Sequence, residues 1–272
     1  MFLSFIFVTA LAAKLSSATV GANWLFPDAE SGSNLINDVT FPFDLSRAPQ
    51  QAGFYFAQQF NFDYADDSTY SGAQQFYYDY NQPSAYIGLQ PQPRNASGSV
   101  IRAAFSSFIN GTTTNSSLCY YGADGGPGVS CGVEFNGDYS HKYDCVAETT
   151  DGGNTWRGTV VNTNTGAWHS IGEWTLPKKA AGIGPRGLGF AEYYSYPRDQ
   201  YNTEICNALP STEVSFFSPS SSTNRAGEGV IEKPYEYGVC EHRSAFRTWG
   251  VSEGYHVKTG FQGQGRGHWW SW

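Results

Sequence analysis

Five carboxylates on strand-like stretches, Glu134, Asp144, Glu148, Glu173 and Glu192, are the residues of this chain best suited to acid–base chemistry. Two such groups held at a defined separation across a glycosidic bond hydrolyse it, one as acid and the other as base or nucleophile. Spacing along the chain gives no distance between any pair, so a glycan-cleaving enzyme with Glu192 as acid or base stands as an alternative. The histidines, at 141, 169, 242, 256 and 268, are scattered without ligand spacing, which argues against zinc. Calcium needs clustered oxygens, and Asp63, Asp66 and Asp67, or Asp124 with nearby carbonyls, could supply them. Aspartate is also a common turn former, so solvated turn carboxylates are the simpler reading and no cofactor is expected.

Three familiar patterns lack the structural context that their chemistry requires. Gly128-Val-Ser-Cys-Gly132 matches the nucleophile-elbow formula around Ser130, but its flanks read as strands and Cys131 is expected in a disulfide. Gly182-Ile-Gly-Pro-Arg-Gly187 and Gly263-Gln-Gly265-Arg-Gly267 match dinucleotide fingerprints, yet neither opens a helix that could hold a pyrophosphate. Both read as turns.

Aromatic residues carry the stronger hint. They make up 17% of the chain, and sugars present apolar faces that lie against Trp and Tyr rings while Gln, Asn, Glu and Arg take the hydroxyls. Trp156, Trp168 and Trp174 are expected in the core. The run Tyr193, Tyr194 and Tyr196 straddles both faces of a strand, so at least one ring should face outward. His268-Trp-Trp-Ser-Trp272 fits either an adhesive platform or a hydrophobic plug.

The elements that would position these groups are strands. In Gly53–Tyr64 the even positions Phe54, Phe56, Phe60, Phe62 and Tyr64 are aromatic, with Gln58 interrupting. That alternation puts a row of rings on one strand face, where a helix would scatter them. The grammar recurs at Val39–Phe43, Ala85–Gln90, Val100–Ile109, Val129–Phe135, Lys142–Thr149, Trp156–Val161, Trp168–Leu176, Leu188–Tyr196, Glu213–Phe217, Tyr235–His242 and Tyr255–Phe261, with an aromatic patch at Phe76–Tyr80. Asn136-Gly137 and Asn164-Thr-Gly166 read as hairpin turns. Only Thr203–Leu209 suggests a helical turn. Strands every ten or so residues, with 31 Gly and 13 Pro excluding long helices, predict an all-β antiparallel sandwich as one domain over 23–262, followed by a Gly/Trp-rich tail.

The apolar run Phe2–Ala13 is too short to span a bilayer and is followed by small residues, as in a signal peptide cleaved after Ala18 or after Ala22. The chain is therefore expected to be secreted and extracellular. A formal charge of −8 argues against nucleic acid or an anionic membrane as partner. In an oxidising compartment Cys206–Cys240 should pair, and Cys131–Cys145 is slightly preferred within the cluster of three, which leaves Cys119 over. A third reading is then a protein-interaction module that uses the unpaired cysteine for an intermolecular bridge. Asn95, Asn110 and Asn115 head glycosylation sequons in turn-rich stretches.

In order along the chain stand the aromatic strand Phe54–Phe62, Tyr86-Ile-Gly-Leu-Gln90, Val100–Phe108, Asp124-Gly-Gly-Pro-Gly-Val-Ser-Cys131, Thr155-Trp-Arg-Gly158, Ile171-Gly-Glu-Trp174, Phe190-Ala-Glu192, and His242-Arg243 to Trp249-Gly250. In this order the chain resembles an uncharacterised domain family of secreted bacterial and fungal proteins, over roughly residues 50 to 260. The resemblance implies a concanavalin-like or jelly-roll sandwich, in agreement with the strand pattern, and carries no established activity. Within the recognisable strands, Gln90, Glu192, Tyr194, Arg243 and Trp249 are the candidate ligand contacts, with carbohydrate as the expected partner. Use of this architecture by lectins is an analogy of fold only.

Overall fold

The computed structural model describes residues 18–30, 36–63, 84–195, 203–223 and 226–261. The aromatic patch 76–80, Asp66, Asp67, Tyr196, the segment 1–17 and the tail 263–272 lie outside them. In chain order the strands are β1 (Ala18–Leu25), β2 (Asp38–Asp44), β3 (Phe54–Asp63), β4 (Ser84–Asn95), β5 (Gly98–Ser107), β6 (Cys119–Ala123), β7 (Gly126–Asn136) and β8 (Lys142–Thr149). There follow β9 (Thr155–Asn162), β10 (Trp168–Thr175), β11 (Gly182–Tyr193), β12 (Thr212–Phe217), β13 (Val230–Ile231), β14 (Tyr235–Glu236), β15 (Arg247–Val251) and β16 (Gly254–Thr259). A 3₁₀ turn covers Thr203–Ala208, close to the helical turn expected there.

Two antiparallel sheets pack face to face as a sandwich. Sheet A runs β13-β1-β11-β3-β4-β5-β7-β6, with β14 also on β1; sheet B runs β10-β9-β8-β2-β12-β16-β15. Phe54, Phe56, Phe60 and Phe62 of β3 all point into the space between the sheets, as their alternation predicts. Gln58 shares that inner face and is buried, with no hydrogen-bond partner for its Oε1. A chain of rings crosses between the sheets: Trp24 meets Phe41, Phe62 meets both Trp156 and Trp174, and Phe105 stacks on Trp174 at 4.6 Å. Gly158 permits this approach, because a Cβ there would lie 2.6 Å from the Phe105 ring.

Several sequence expectations change. Asn136-Gly137 does not close a hairpin: β7 pairs with β5 and β6 in sheet A, whereas β8 pairs with β2 and β9 in sheet B, so the turn carries the chain between sheets. The Gly-rich loop 122–128 is instead the tight end of the β6–β7 hairpin. Gly182–Gly187 is strand rather than turn, since β11 takes up Gly184-Pro-Arg186 as an irregularity in its pairing with β3. Of Tyr235–His242 only the first two residues are strand. β1 begins at Ala18, so the folded unit starts before residue 23 and a cut after Ala22 would remove most of a strand whose Val20 and Ala22 are in the core. Trp168 is 65% exposed, whereas Trp156 and Trp174 are buried as expected.

Cys206–Cys240 forms as expected, but the second disulfide is Cys119–Cys131, and Cys145 is the free thiol. Cys119 and Cys131 are directly opposed on β6 and β7, whereas Cys145 lies on β8 in the other sheet. Gly172 makes room for the bridge: its φ is +147°, and a Cβ would sit 2.5 Å from the Cys119 sulfur. Cys145 is buried in the core and its thiol is pushed up in pKa by burial, so it cannot make the intermolecular bridge considered above. Among the described residues, thiol titration is expected to find no reactive group in the folded oxidised protein and one after unfolding. A thiol titrating under native conditions would contradict this pairing.

Candidate functional site

The inner rings decide which side chains point outward, and each sheet has one outer face of interest. On sheet A, Glu192 is opposite Tyr55, Gln90 is opposite Arg102, and Arg102 is opposite Glu134, all on the outer face. Beside them runs a row of small residues, Ala57, Gly88, Ala104 and Gly132, paired in register across β3, β4, β5 and β7. The rings of Tyr55, Phe190 and Tyr86 pack over this floor as an outer cluster, Tyr55 to Phe190 at 5.8 Å and Tyr86 to Phe190 at 5.1 Å. Arg102 lies over Gly132 and reaches Glu134 at 3.9 Å.

This face is largely closed. Tyr55 is 7% exposed and Glu192 8%. Burial pushes the Tyr55 phenol well above its usual pKa, and the charges of Asp124 and Glu192 push it the same way. Ser130, the centre of the elbow-like motif, is also buried here in mid-strand, hydrogen-bonded to Ser106 across β5 and β7. That excludes the sharp strand-to-helix exposure an elbow nucleophile needs.

Two of the carboxylate pairs, Glu192 with Glu134 and Glu148 with Glu173, do not meet the demands of glycoside cleavage. Glu192 and Glu134 are separated by four strand spacings, roughly 19 Å, well beyond the separation two catalytic carboxyls require. Glu148 and Glu173 are nearer, but Arg157 lies between them at 3.7 and 3.4 Å. In register Arg157 is opposite Glu148 on one side and Glu173 on the other, so its guanidinium fills the place between them that a glycosidic oxygen would need.

On sheet B the outer face near β15 is different in kind. Val214 and Phe216 of β12 and Val257 of β16 enter the core, so Glu213, Ser215, His256 and Lys258 face out. Ser215 is opposite His256, Glu213 is opposite Lys258, and on the other side Trp249 is opposite His256 and Arg247 opposite Lys258. His256 bonds Ser215 Oγ through Nδ1 at 2.8 Å and Glu213 through Nε2 at 3.0 Å. Lys258 Nζ donates to the second Glu213 oxygen at 2.7 Å, and Arg47 approaches the same carboxylate at 3.7 Å. The Trp249 indole lies on the His256 ring, centroids 4.4 Å apart, and remains 42% exposed.

A Ser–His–Glu series suggests a hydrolytic triad, but its surroundings do not support one. Ser215 is buried in mid-strand, and its register places it within the ladder between β2 and β16, where backbone N–H groups serve sheet pairing rather than an oxyanion. What the network does is fix His256, and through it the angle of an exposed indole. Burial alone would raise the Glu213 carboxyl, but hydrogen bonds from Lys258 and His256, with their charges, outweigh it and hold the group below its usual pKa.

Of the sequence candidates, Gln90 and Glu192 share the outer face of sheet A, and Tyr194 is exposed just beyond β11, its N–H donating to Gly53 O. Trp249 is on sheet B. Arg243 lies exposed in the turn that follows Cys240, its N–H donating to Cys240 O. The five are thus divided between the two sheets and a turn. Glu213, Ser215, Arg247, His256 and Lys258 were not among the candidates. Their signal was present as Glu-Val-Ser and His-Val-Lys, in which polar residues alternate with core valines. Asn95, Asn110 and Asn115 are all exposed, and no cluster of potential metal ligands occurs among the described residues.

No family model and no curated protein matches the chain. Among solved structures it is similar to scytalido-glutamic peptidase with a transition-state analogue inhibitor, at 10% identity over 90% of this chain and 98% of that one, TM-score 0.43. SCP-B, a member of the eqolisin peptidases in complex with the tripeptide Ala-Ile-His, gives 10% identity over 90% and 99%, TM-score 0.37. The enzymatically active domain of bacteriophage CBA120 tailspike protein 2 gives 13% over 78% and 24%, TM-score 0.29. At these scores the likenesses carry no argument about activity.

Because the folded-state pKa of Glu213 lies below its ordinary value of 4.5, the stability it contributes is present above that value and is lost as pH falls through the folded one. Glu213→Gln is expected to lower stability at neutral pH by on the order of 1.5–3 kcal/mol, the worth of charge-assisted hydrogen bonds. The gap in thermal midpoint between the two proteins should close in acid. A gap independent of pH would show that the ionised carboxylate is not what the network uses.

Proposed function

We propose that the chain is a secreted glycan-binding protein whose site is the outer face of sheet B around Trp249. The observation that supports this most is the exposed indole held by His256, with hydrogen-bonding and charged groups fixed beside it by Glu213. A flat, rigid ring offers the apolar face of a sugar a stacking surface at little entropic cost. Lys258 and Glu213, already ordered by each other, supply polar contacts for hydroxyls, with the exposed Arg247 beside them. Sheet A is the weaker candidate, because its rings are packed down on the Ala/Gly floor. Binding without cleavage is favoured by the separation of Glu192 from Glu134 and by Arg157 between Glu148 and Glu173. Extracellular location is supported by two disulfides, and among the described residues no helix is long and apolar enough to cross a membrane. The sequence resemblance to a secreted domain family fits the same location and adds no activity.

Retention on a panel of immobilised polysaccharides, with released reducing ends measured alongside, tests this reading. Retention without release is expected. Trp249→Ala should weaken it by about tenfold or more, as loss of one stacking contact worth over 1 kcal/mol requires, whereas Trp168→Ala, at the opposite edge of the sheet, should not. Equal retention of the Trp249→Ala protein, or release of sugar by the parent, would count against it.

A further inference from the structure

We propose that the Trp249 site selects acidic glycans, with Arg247, Lys258 and Arg47 receiving a sugar carboxylate or sulfate beside the indole; this rests on the glycan-binding reading above. The chain has 24 acidic and 16 basic residues, yet around Trp249 the sign reverses. In register across the outer face, Trp249 is opposite His256, His256 opposite Ser215, Ser215 opposite Asp44, and Asp44 opposite Lys142, with Arg247 opposite Lys258 in the next row. With Arg47 and Glu213 beside them and Asp144 next to Lys142, four permanent cations meet three carboxylates among the described residues.

Two of those carboxylates are already engaged. Glu213 takes Lys258, His256 and Arg47, and Asp44 accepts the backbone N–H of Ser46 at 2.7 Å. Lys142 lies over the Phe217 ring at 4.1 Å. Arg247 is exposed and forms no ion pair or side-chain hydrogen bond with any described residue. It is also directly opposite another cation, Lys258, an arrangement that costs stability on a strand pair. An anion placed between them removes that repulsion, and a guanidinium grips a planar carboxylate or a sulfate with two parallel N–H donors.

Among the described residues one indole lies beside these cations, which favours a sugar over a nucleic acid. One ring can stack one pyranose, whereas strand tracking of a polynucleotide uses successive stacking platforms along a basic groove.

The test uses the intact folded chain with a polyuronate and a sulfated galactan, each beside its neutral form (methyl ester, desulfated), and single-stranded DNA as a non-sugar polyanion. At least one charged glycan is expected to bind tenfold or more tightly than its neutral partner, with the difference shrinking as salt is raised. Arg247→Ala should weaken binding of the charged glycan by several-fold more than that of its neutral partner, so that most of the difference between them is lost, and Arg247→Glu should reduce the charged form further. Arg247 is exposed on an edge strand, and a thermal midpoint no lower than that of the parent confirms that each variant folds. Equal binding of charged and neutral forms, both lost in Trp249→Ala, would overturn acid selection and leave glycan binding standing. Binding to no glycan would overturn both. DNA binding as tight as the charged glycan, and equally reduced by Arg247→Ala, would show a general polyanion patch and overturn the proposal.

Discussion

The interlocking of rings between the two sheets is the constraint from which the rest of the structure follows. Trp24, Phe41, Phe60, Phe62, Phe105, Trp156 and Trp174 all lie in one apolar layer with almost no exposure. Burying rings of this size is worth roughly 1.5–3 kcal/mol for a side chain such as Phe, so a one-residue slip in any of these strands would move several such gains into water. Register is thereby fixed. With a side-chain period of two, fixing the inner face also fixes every outward residue.

The two outer faces show what that does for function. On sheet A, the outward row passes small residues, and Tyr55, Tyr86 and Phe190 lie down upon them, giving a second apolar layer with Glu192 buried at its margin. On sheet B, the outward positions of β12 and β16 are polar, so their pairing converges Glu213, Ser215, His256 and Lys258 into one hydrogen-bonded group. Glu213 is its hub. Lys258 and His256 are held to that carboxylate by charge-assisted bonds, and the Trp249 indole lies against the imidazole. The site is ordered before any ligand arrives, which lowers the entropic cost of binding.

Much of the fold was legible because alternation survives in single strands. The aromatic row of β3 and the limits of β8 needed no knowledge of the partner strands. What could not be read was which strands are neighbours. The Asn136-Gly137 turn carries a strong hairpin signal, yet it links different sheets, because β7 finds β5 and β6 while β8 finds β2. The same ignorance of pairing favoured Cys131–Cys145 over Cys119–Cys131. It also concealed the site: Glu213 and His256 are 43 residues apart, and only the β12–β16 register brings them together. Trp249 was legible as a flat residue on a recognisable strand, but apart from Arg247 the charges around it come from four other parts of the chain.

The most direct test of a sheet B site is mapping of amide and indole chemical shifts while a bound oligosaccharide is titrated into the isotopically labelled protein. The account predicts that the largest changes fall on the Trp249 indole N–H and on the backbone of β15 and β16, with β3, β4 and β11 unmoved. Changes centred instead on Tyr55, Gln90 and Glu192 would place the ligand on sheet A and contradict it.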